Sequence, residues 1–374
     1  MARNNLWGFL FHRGKMIRSS QHTLKFSNDG KLEYLARLFQ DYALDLQDYI
    51  DLILEEKLPL KQFLSSKILP ELRCNHSVYK TSIYKQASEI IRSQNKKKIK
   101  TKPEVKIVSI VLNENLLKYS TDAKSFDEFV QVSLPYKSDN SKRNYLKIRL
   151  PIKQHKQSLK FKDWTRKKSV QLKKINGNFY LTFFYEKELP PLKKQGNALG
   201  IDIGYKKLIA TSDNQFLGNE MMQVYDNISK KKQGSKNFKQ SLKFRDDEIN
   251  RICNELDLSQ ISHLYIEGLK NVKHKSKFSK KFNNKLQRWS YRKATTKIER
   301  LCEEQGINLV KVSPAYTSQT CSKCGFVDSK NRKGEIFECT NCGIILDADY
   351  NASLNILHRG ETELPLPKQF ISSG

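Results

Sequence analysis

The sequence predicts a multidomain chain: a β-rich N-terminal half interrupted by a helical insertion, followed by an α/β half that carries a metal-binding ribbon. Three features predict it. Short runs with strand character fill most of residues 103–189, α/β alternation begins near residue 197, and four cysteines form two CxxC pairs near the C-terminus. At 374 residues there is room for two or three domains with a sizeable core.

Residues 1–30 predict short strands around Gly14, among them the apolar LWGFLF, closed by the turn signal Asn28-Asp29-Gly30. From Lys31 to Glu56 the pattern becomes helical, with Leu32, Leu35, Phe39, Ala43, Leu46 and Ile50 on one face. A second helix is expected from about Ser77 to Ser93, before the basic linker NKKKIKTKP. Strands follow in VKIVSIVL, FVQVSLPY, YLKIRLPI and SVQLKKI, and then KINGNFYLTFFYEKEL reads as a hairpin turning at Asn176-Gly177-Asn178. PPLKKQGN, with Pro190, Pro191 and Gly196, marks a domain boundary. Beyond it, ALGIDIGYKKLIATSD reads as a strand and hairpin, residues 240–256 as a helix, HLYIEGL as a strand and roughly 282–305 as a long basic helix. INLVKVSP is a strand ending at Pro314, and the last helix, NASLNILHRG, is expected to stop at Gly360 as its C-cap.

Lys+Arg 68 against Asp+Glu 39 leaves a formal charge of +29. An excess of that size favours a polyanion, because each neutralised phosphate releases counterions. Aromatics at 10% and hydrophobics at 38% indicate a folded protein rather than a disordered polycation. A membrane-surface protein is the rival reading, but no amphipathic anchor, lipidation signal or bilayer-long apolar run supports it, and LWGFLF is too short for a secretory signal. Cys74, Cys253 and Cys302 are scattered and expected to pack as buried thiols, an arrangement suited to a reducing compartment.

Cys321-x2-Cys324-x14-Cys339-x2-Cys342 has two-knuckle spacing, in which each CxxC turn offers two thiolates. Four thiolates complete a tetrahedral zinc site without an open position, so the metal is expected to be structural. Gly325 and Gly343, directly after each pair, let the backbone turn sharply there. Three carboxylate sites also stand out. Asp202 interrupts the apolar run Leu199-Ile201-Ile203, Glu267 ends HLYIEGL before Gly268, and Asp347 and Asp349 precede the last helix. Each has an ordinary alternative: an edge-strand or turn aspartate, a solvated strand end, an N-cap. Together they could hold a pair of Mg2+ ions for phosphodiester cleavage, since magnesium prefers hard oxygen ligands.

GIDIGYKKLIAT, HLYIEGLKNV and SPAYTSQTCSKCG…FECTNCGIILDADYNASLNIL resemble, in order and spacing, the C-terminal half of TnpB proteins. These are transposon-encoded, RNA-guided DNA endonucleases related to the type V CRISPR effectors. The resemblance covers about residues 197–360; the N-terminal half is similar in architecture alone. It implies a wedge-like β-barrel (1–30 and 103–196) with a helical recognition domain (31–102). It further implies a RuvC-like nuclease of RNase H fold (197–315 and 346–374) with an inserted zinc ribbon that binds target nucleic acid (316–345). Carried over, the catalytic and Mg2+-binding set is Asp202, Glu267 and Asp349, the third being the aspartate two before Asn351. The expected partners are a guide RNA from the transposon end and double-stranded target DNA with an adjacent motif, in a prokaryotic cytoplasm near the nucleoid. A small type V effector serving a CRISPR array, or a guide-directed repressor without cleavage, are the alternatives.

Between Glu267 and Glu299 there is no acid, while eleven lysines and arginines are interleaved with Phe278, Phe282, Trp289 and Tyr291. Lys270, Lys273, Lys277, Lys280, Lys281, Arg288, Trp289 and Arg292 are the expected nucleic-acid contacts, on a groove that tracks the backbone. SIYKQASEIIRS resembles the family's recognition helix and makes Gln86 a candidate for base contact.

Overall fold

The computed structural model describes residues 14–60, 72–122, 125–138, 144–269 and 291–362. LWGFLF, residues 282–290 of the expected basic helix, and all the proposed contacts from Lys270 to Trp289 lie outside them. The chain divides into two compact units, Met1–Glu188 and Leu189–Gly374.

The first unit runs β1 (Lys15–Thr23), α1 (Asp29–Glu55), α2 (Ser77–Lys96), β2 (Ser109–Leu112), β3 (Leu117–Asp122), β4 (Phe126–Lys137), β5 (Tyr145–Ile152), the single turn α3 (Lys156–Leu159), β6 (Thr165–Ile175) and β7 (Asn178–Glu188). Its strands form two sheets, β1-β7-β6-β2 and β3-β4-β5. The hairpin between β6 and β7 turns at Asn176 and Gly177, both with positive φ (49° and 82°), the twist a two-residue connection requires. Asn28 closes no turn between strands. Its side chain accepts a hydrogen bond from the Lys31 amide at 3.2 Å and so caps α1. The stripe expected on α1 is the buried one: Leu35, Phe39, Leu46 and Ile50 join Tyr42, Tyr49 and α2 residues Tyr79, Ile83 and Tyr84 in a single core with the strands. Asp45, wholly buried, is satisfied by the amides of Arg73 and Cys74 (3.1 and 2.8 Å) and by the Arg73 guanidinium (3.0 Å). A buried carboxylate tolerated in this way is structural.

The second unit contains β8 (Asn197–Asp202), β9 (Ile209–Thr211), β10 (Phe216–Leu217), α4 (Met221–Ser229), α5 (Lys236–Asn254), β11 (Ile261–Glu267), α6 (Tyr291–Gln305), β12 (Asn308–Val312), the small strands β13 (Arg332–Lys333), β14 (Ile336–Glu338) and β15 (Ile345–Asp347), and α7 (Ala348–Thr362). Five strands form one mixed sheet, β10-β9-β8-β11-β12. β8, β9 and β10 pair antiparallel, whereas β11 lies parallel to both β8 and β12.

Strand alternation assigns the two faces. Leu199, Ile201, Leu264 and Ile266 point into a core shared with α4, α5 and α6. Gly200, Asp202, Tyr265 and Glu267 therefore share the other face, and α7 covers it. Gly200 permits this: a Cβ there would lie 2.3 Å from the Ser353 carbonyl and 2.6 Å from the Leu357 amide, closer than real atoms approach. Gly360 does not cap α7, which continues to Thr362; a Cβ at that position would strike the Tyr265 ring at 2.1 Å, so the glycine serves packing. Cys74, Cys253 and Cys302 are buried free thiols, as expected. No described helix is long and apolar enough to cross a membrane.

Candidate carboxylate centre and four-cysteine ribbon

Asp202 and Glu267 are the last residues of two adjacent parallel strands. Because Ile201 pairs with Ile266, the two acids fall side by side at the carboxyl edge of the sheet, where α/β folds place their ligands. Asp349 enters from above, in the first turn of α7, and is buried. Burial, reinforced by the charges of Glu267 and Asp349, pushes the Asp202 carboxyl up to about 8. Burial also raises Glu267, against the Thr317 hydroxyl that donates to it. Tyr291, at the start of α6, donates its hydroxyl to the Glu267 carbonyl and fixes the strand end.

Three carboxylates on one desolvated face need cations. Arg332, on β13 of the ribbon, supplies one: its guanidinium donates to Asp349 Oδ1 at 2.8 Å, and its charge lowers Asp202 and Glu267. Nothing in the basic stretch DSKNRKGE marked this arginine out, because its partner lies across a fold boundary. Asp347, two residues before Asp349, has different work. Its Oδ1 accepts from the amides of Asp349 (3.0 Å) and Tyr350 (3.1 Å), capping α7, and its other oxygen pairs with Lys207.

The ribbon brings all four cysteines together, their Sγ atoms within 4.8 Å of one another. Cys321 and Cys342 Sγ lie 3.7 Å apart, and Cys324 and Cys339 Sγ 3.6 Å apart. A tetrahedron of zinc–sulfur bonds of about 2.3 Å has edges of about 3.8 Å, so the site fits the ion. The knuckles are copies of one another. The Gly325 amide donates to the Cys321 carbonyl (2.9 Å) and Gly343 to Cys339 (3.0 Å), both glycines having positive φ. Backbone N–H from Phe326 is the main pull that brings the Cys324 thiol down to about 6, toward the thiolate a metal needs.

Two buried asparagines one turn apart join ribbon to helix. Asn351 accepts from the Ser322 amide (3.0 Å) and donates to the Thr320 carbonyl (2.9 Å), while Asn355 donates to the carbonyls of Thr317 (2.9 Å) and Thr320 (2.7 Å). Thr317 in turn holds Glu267, so one short loop connects the cysteines, the second acid and the third. Arg359 braces the same loop through the carbonyls of Ser313 (2.7 Å) and Ala315 (2.8 Å).

The ribbon and the helix behind it decide the relationship. The family description Cas12f1-like, TNB domain, matches residues 291–356. Cas12f1, a CRISPR-associated endodeoxyribonuclease of Sulfoacidibacillus thermotolerans, is 51% identical over 72 residues, 19% of this chain and 17% of that protein. A TnpB-like protein of Aquifex aeolicus is 35% identical over 111 residues, 29% of this chain and 36% of that one. Over these stretches the chain is similar to TnpB-like proteins and to Cas12f1 alike. The stretches that align are small parts of those TnpB and Cas12f1 relatives. The fold is shared more widely. A cryo-EM structure of a Cas12f1–sgRNA–target DNA complex superposes with TM-score 0.56 at 18% identity, over 87% of this chain and 81% of that one. A mini-RNA-guided endonuclease, CRISPR-Cas_phi3, gives 0.51 at 11% identity, over 94% and 93%.

Of the expected nucleic-acid contacts, Gln86 and Arg292 are described. Gln86 sits half-buried on α2, where its carbonyl oxygen accepts from the Tyr42 hydroxyl at 3.0 Å. Arg292 lies exposed in the first turn of α6.

Proposed function

We propose that the chain is an RNA-guided, Mg2+-dependent DNA endonuclease of TnpB type, with Asp202, Glu267 and Asp349 as its catalytic acids. The observation that carries this reading is the meeting of two strand-end carboxylates and one helix-start carboxylate on the face covered by α7. Mixed-sheet order, with the first acid on the central strand and the second on its parallel neighbour, supports a RuvC-like nuclease of RNase H fold. Hard oxygen donors with more negative charge than Arg332 offsets suit magnesium. When bound, divalent ions there activate water and stabilise the leaving oxygen of a phosphodiester. The protein's own groups do the positioning: Thr317 orients Glu267, Asp347 caps the helix that presents Asp349, and Arg332 holds Asp349 in place. The four ribbon cysteines hold Zn2+, which fixes the loop linking the acids.

In this reading the two sheets of the first unit form a wedge-like barrel, α1 and α2 the recognition domain, and the basic segment before α6 a track for the guide–target duplex. The guide RNA comes from the transposon end, pairs with one DNA strand beside a short motif, and works in the cytoplasm on the nucleoid. The 51% identity to Cas12f1 in the ribbon region supports a second reading, a small effector served by a CRISPR array. Sequencing RNA that copurifies with the protein, then supplying it with matched DNA and Mg2+, tests both. One long structured RNA with a variable 3′ end that directs cleavage supports the first, and short repeat-derived RNAs the second. Binding of guide and target without cleavage by the intact acid set would overturn the nuclease reading.

A further inference from the structure

The first unit carries two neighbouring recesses that the carboxylate centre does not use. One, of about 260 Å3, is lined by Phe161, Trp164, Phe183 and Tyr185, with Arg166 and Glu128 among its polar groups. The other, of about 340 Å3, is lined by Phe26, Tyr180, Lys25, Lys153 and His155. They share Gln154, and the imidazoles of His22 and His155, with ring centres 4.7 Å apart, belong one to each recess. His22 is buried and fixed, its ring nitrogens 2.9 Å from Ser20 Oγ and 3.1 Å from the Lys153 carbonyl, so the partition is rigid.

The chemistry of the walls is specific. Phe161 stacks on Tyr185 with an interplanar angle of 19° and meets Trp164 edge-on, a braced aromatic surface on the sheet. Arg166 forms a two-pronged pair with Glu128 (2.7 and 2.9 Å) while lying over the Tyr119 ring at 4.1 Å. Among the described residues Glu128 is the one acid lining either recess, and its pairing with Arg166 offsets its charge. Lys162 is exposed at the first recess and Lys25 and Lys153 at the second, with Phe26 itself 42% exposed. Flat π-surfaces in recesses flanked by exposed cations match a polymer with aromatic rings and phosphates in alternation. A duplex keeps its bases stacked inside and cannot offer them, whereas an unpaired strand can splay them out.

We propose that the two recesses form a binding site for a single-stranded nucleic-acid segment, each taking one unstacked base, with phosphates on Lys25, Lys153 and Lys162. The aromatic–cation chemistry is common to RNA and DNA. The site lies in the first unit, and its test reads binding rather than cleavage, so it stands apart from the catalytic acids.

Trp164 makes the test direct, since the chain has three tryptophans. In the full-length protein with Trp7→Phe and Trp289→Phe, Trp164 emission is followed during titration with ten-nucleotide uridylate and adenylate strands, as RNA and as DNA. Saturable quenching by either single strand, and not by the annealed duplex or by uridine or adenosine monophosphate, is expected. Phe161→Ala and the surface change Lys162→Glu should each weaken binding of a fluorescent strand about tenfold, the scale of one stacked base or of lost phosphate contact. Lys162→Glu lies on an exposed side chain and keeps the result readable if Phe161→Ala fails to fold. RNA-only or DNA-only quenching identifies the natural strand, and either supports the site. Binding of the strand without Trp164 quenching, or with unchanged affinity in folded Lys162→Glu and Phe161→Ala proteins, would overturn it; so would equal quenching by a mononucleotide.

Discussion

In magnesium-free, zinc-replete solution, Asp202→Asn should make the second unit more stable than the parent, and once Mg2+ is supplied the variant should not cleave. Burial, with Glu267 and Asp349 nearby, raises the Asp202 carboxyl from 3.8 to about 8. A carboxyl that holds its proton more tightly folded than unfolded costs stability progressively as pH climbs between those two values. About four units at roughly 1.4 kcal/mol each set an upper limit near 5 kcal/mol at pH 8. Asp202 keeps partial solvent access, and its neighbours can relax, so about 1–3 kcal/mol is the expected gain from a neutral isostere. For a unit of this size that is roughly 2–10 °C in Tm. Paired thermal melts at pH 5, 6.5 and 8 check it. The gap between variant and parent should be smallest at pH 5, only about one unit above the unfolded value, and widest at pH 8. Saturating Mg2+ should narrow the gap, because only the parent retains the complete ligand set. A variant that melts at or below the parent at pH 8, or a gap independent of pH, refutes the reasoning.

Asp349→Ala should abolish cleavage while guided DNA binding persists, whereas Asp347→Ala, which removes a helix cap, should cost on the order of 1 kcal/mol and leave measurable cutting; the reverse outcome in a plasmid-nicking assay would exchange their roles. Cys324→Ser should lower zinc content, solubility and activity together, since metal binding is coupled to local folding, and a stable, fully active variant would contradict this. Gln86→Ala should shift the preferred target-adjacent motif more than overall affinity, read from a randomised-motif library, because a glutamine amide can pair with a base edge. Uniform weakening across all motifs would make Gln86 a packing residue.

Asp202 stood out in the sequence because it breaks an apolar run, and strand alternation puts it on one face with Glu267, whereas the choice of Asp349 over Asp347 rested on the resemblance to TnpB proteins. The cysteines could be read because their spacing is itself the geometry. Arg332, Thr317 and the Asn351–Asn355 pair could not, since their partners lie far away in the chain. A sharper reading of NASLN would have helped: two asparagines four apart on the apolar side of a helix demand buried partners. Gly360 misled for the opposite reason. A glycine near a helix end suggests a left-handed cap, but here a tyrosine ring one layer below required the missing side chain. The turn signal at Asn28 named the right residue for the wrong element, because asparagine serves turns and helix caps through the same side-chain bond.

The insertion of the ribbon between β12 and α7 also sets an order in time. During synthesis Asp202 and Glu267 emerge first, on strands that can already pair, and both pairs of cysteines leave the ribosome before Asp349. The loop that receives Asn351 and Asn355 borders the first knuckle, so α7 docks most readily once that knuckle has closed. A nascent chain therefore carries two acids and no third until all four cysteines have been made. The third acid is thus tied to the ribbon twice, by its place in the chain and by the loop that Asn351 and Asn355 grip.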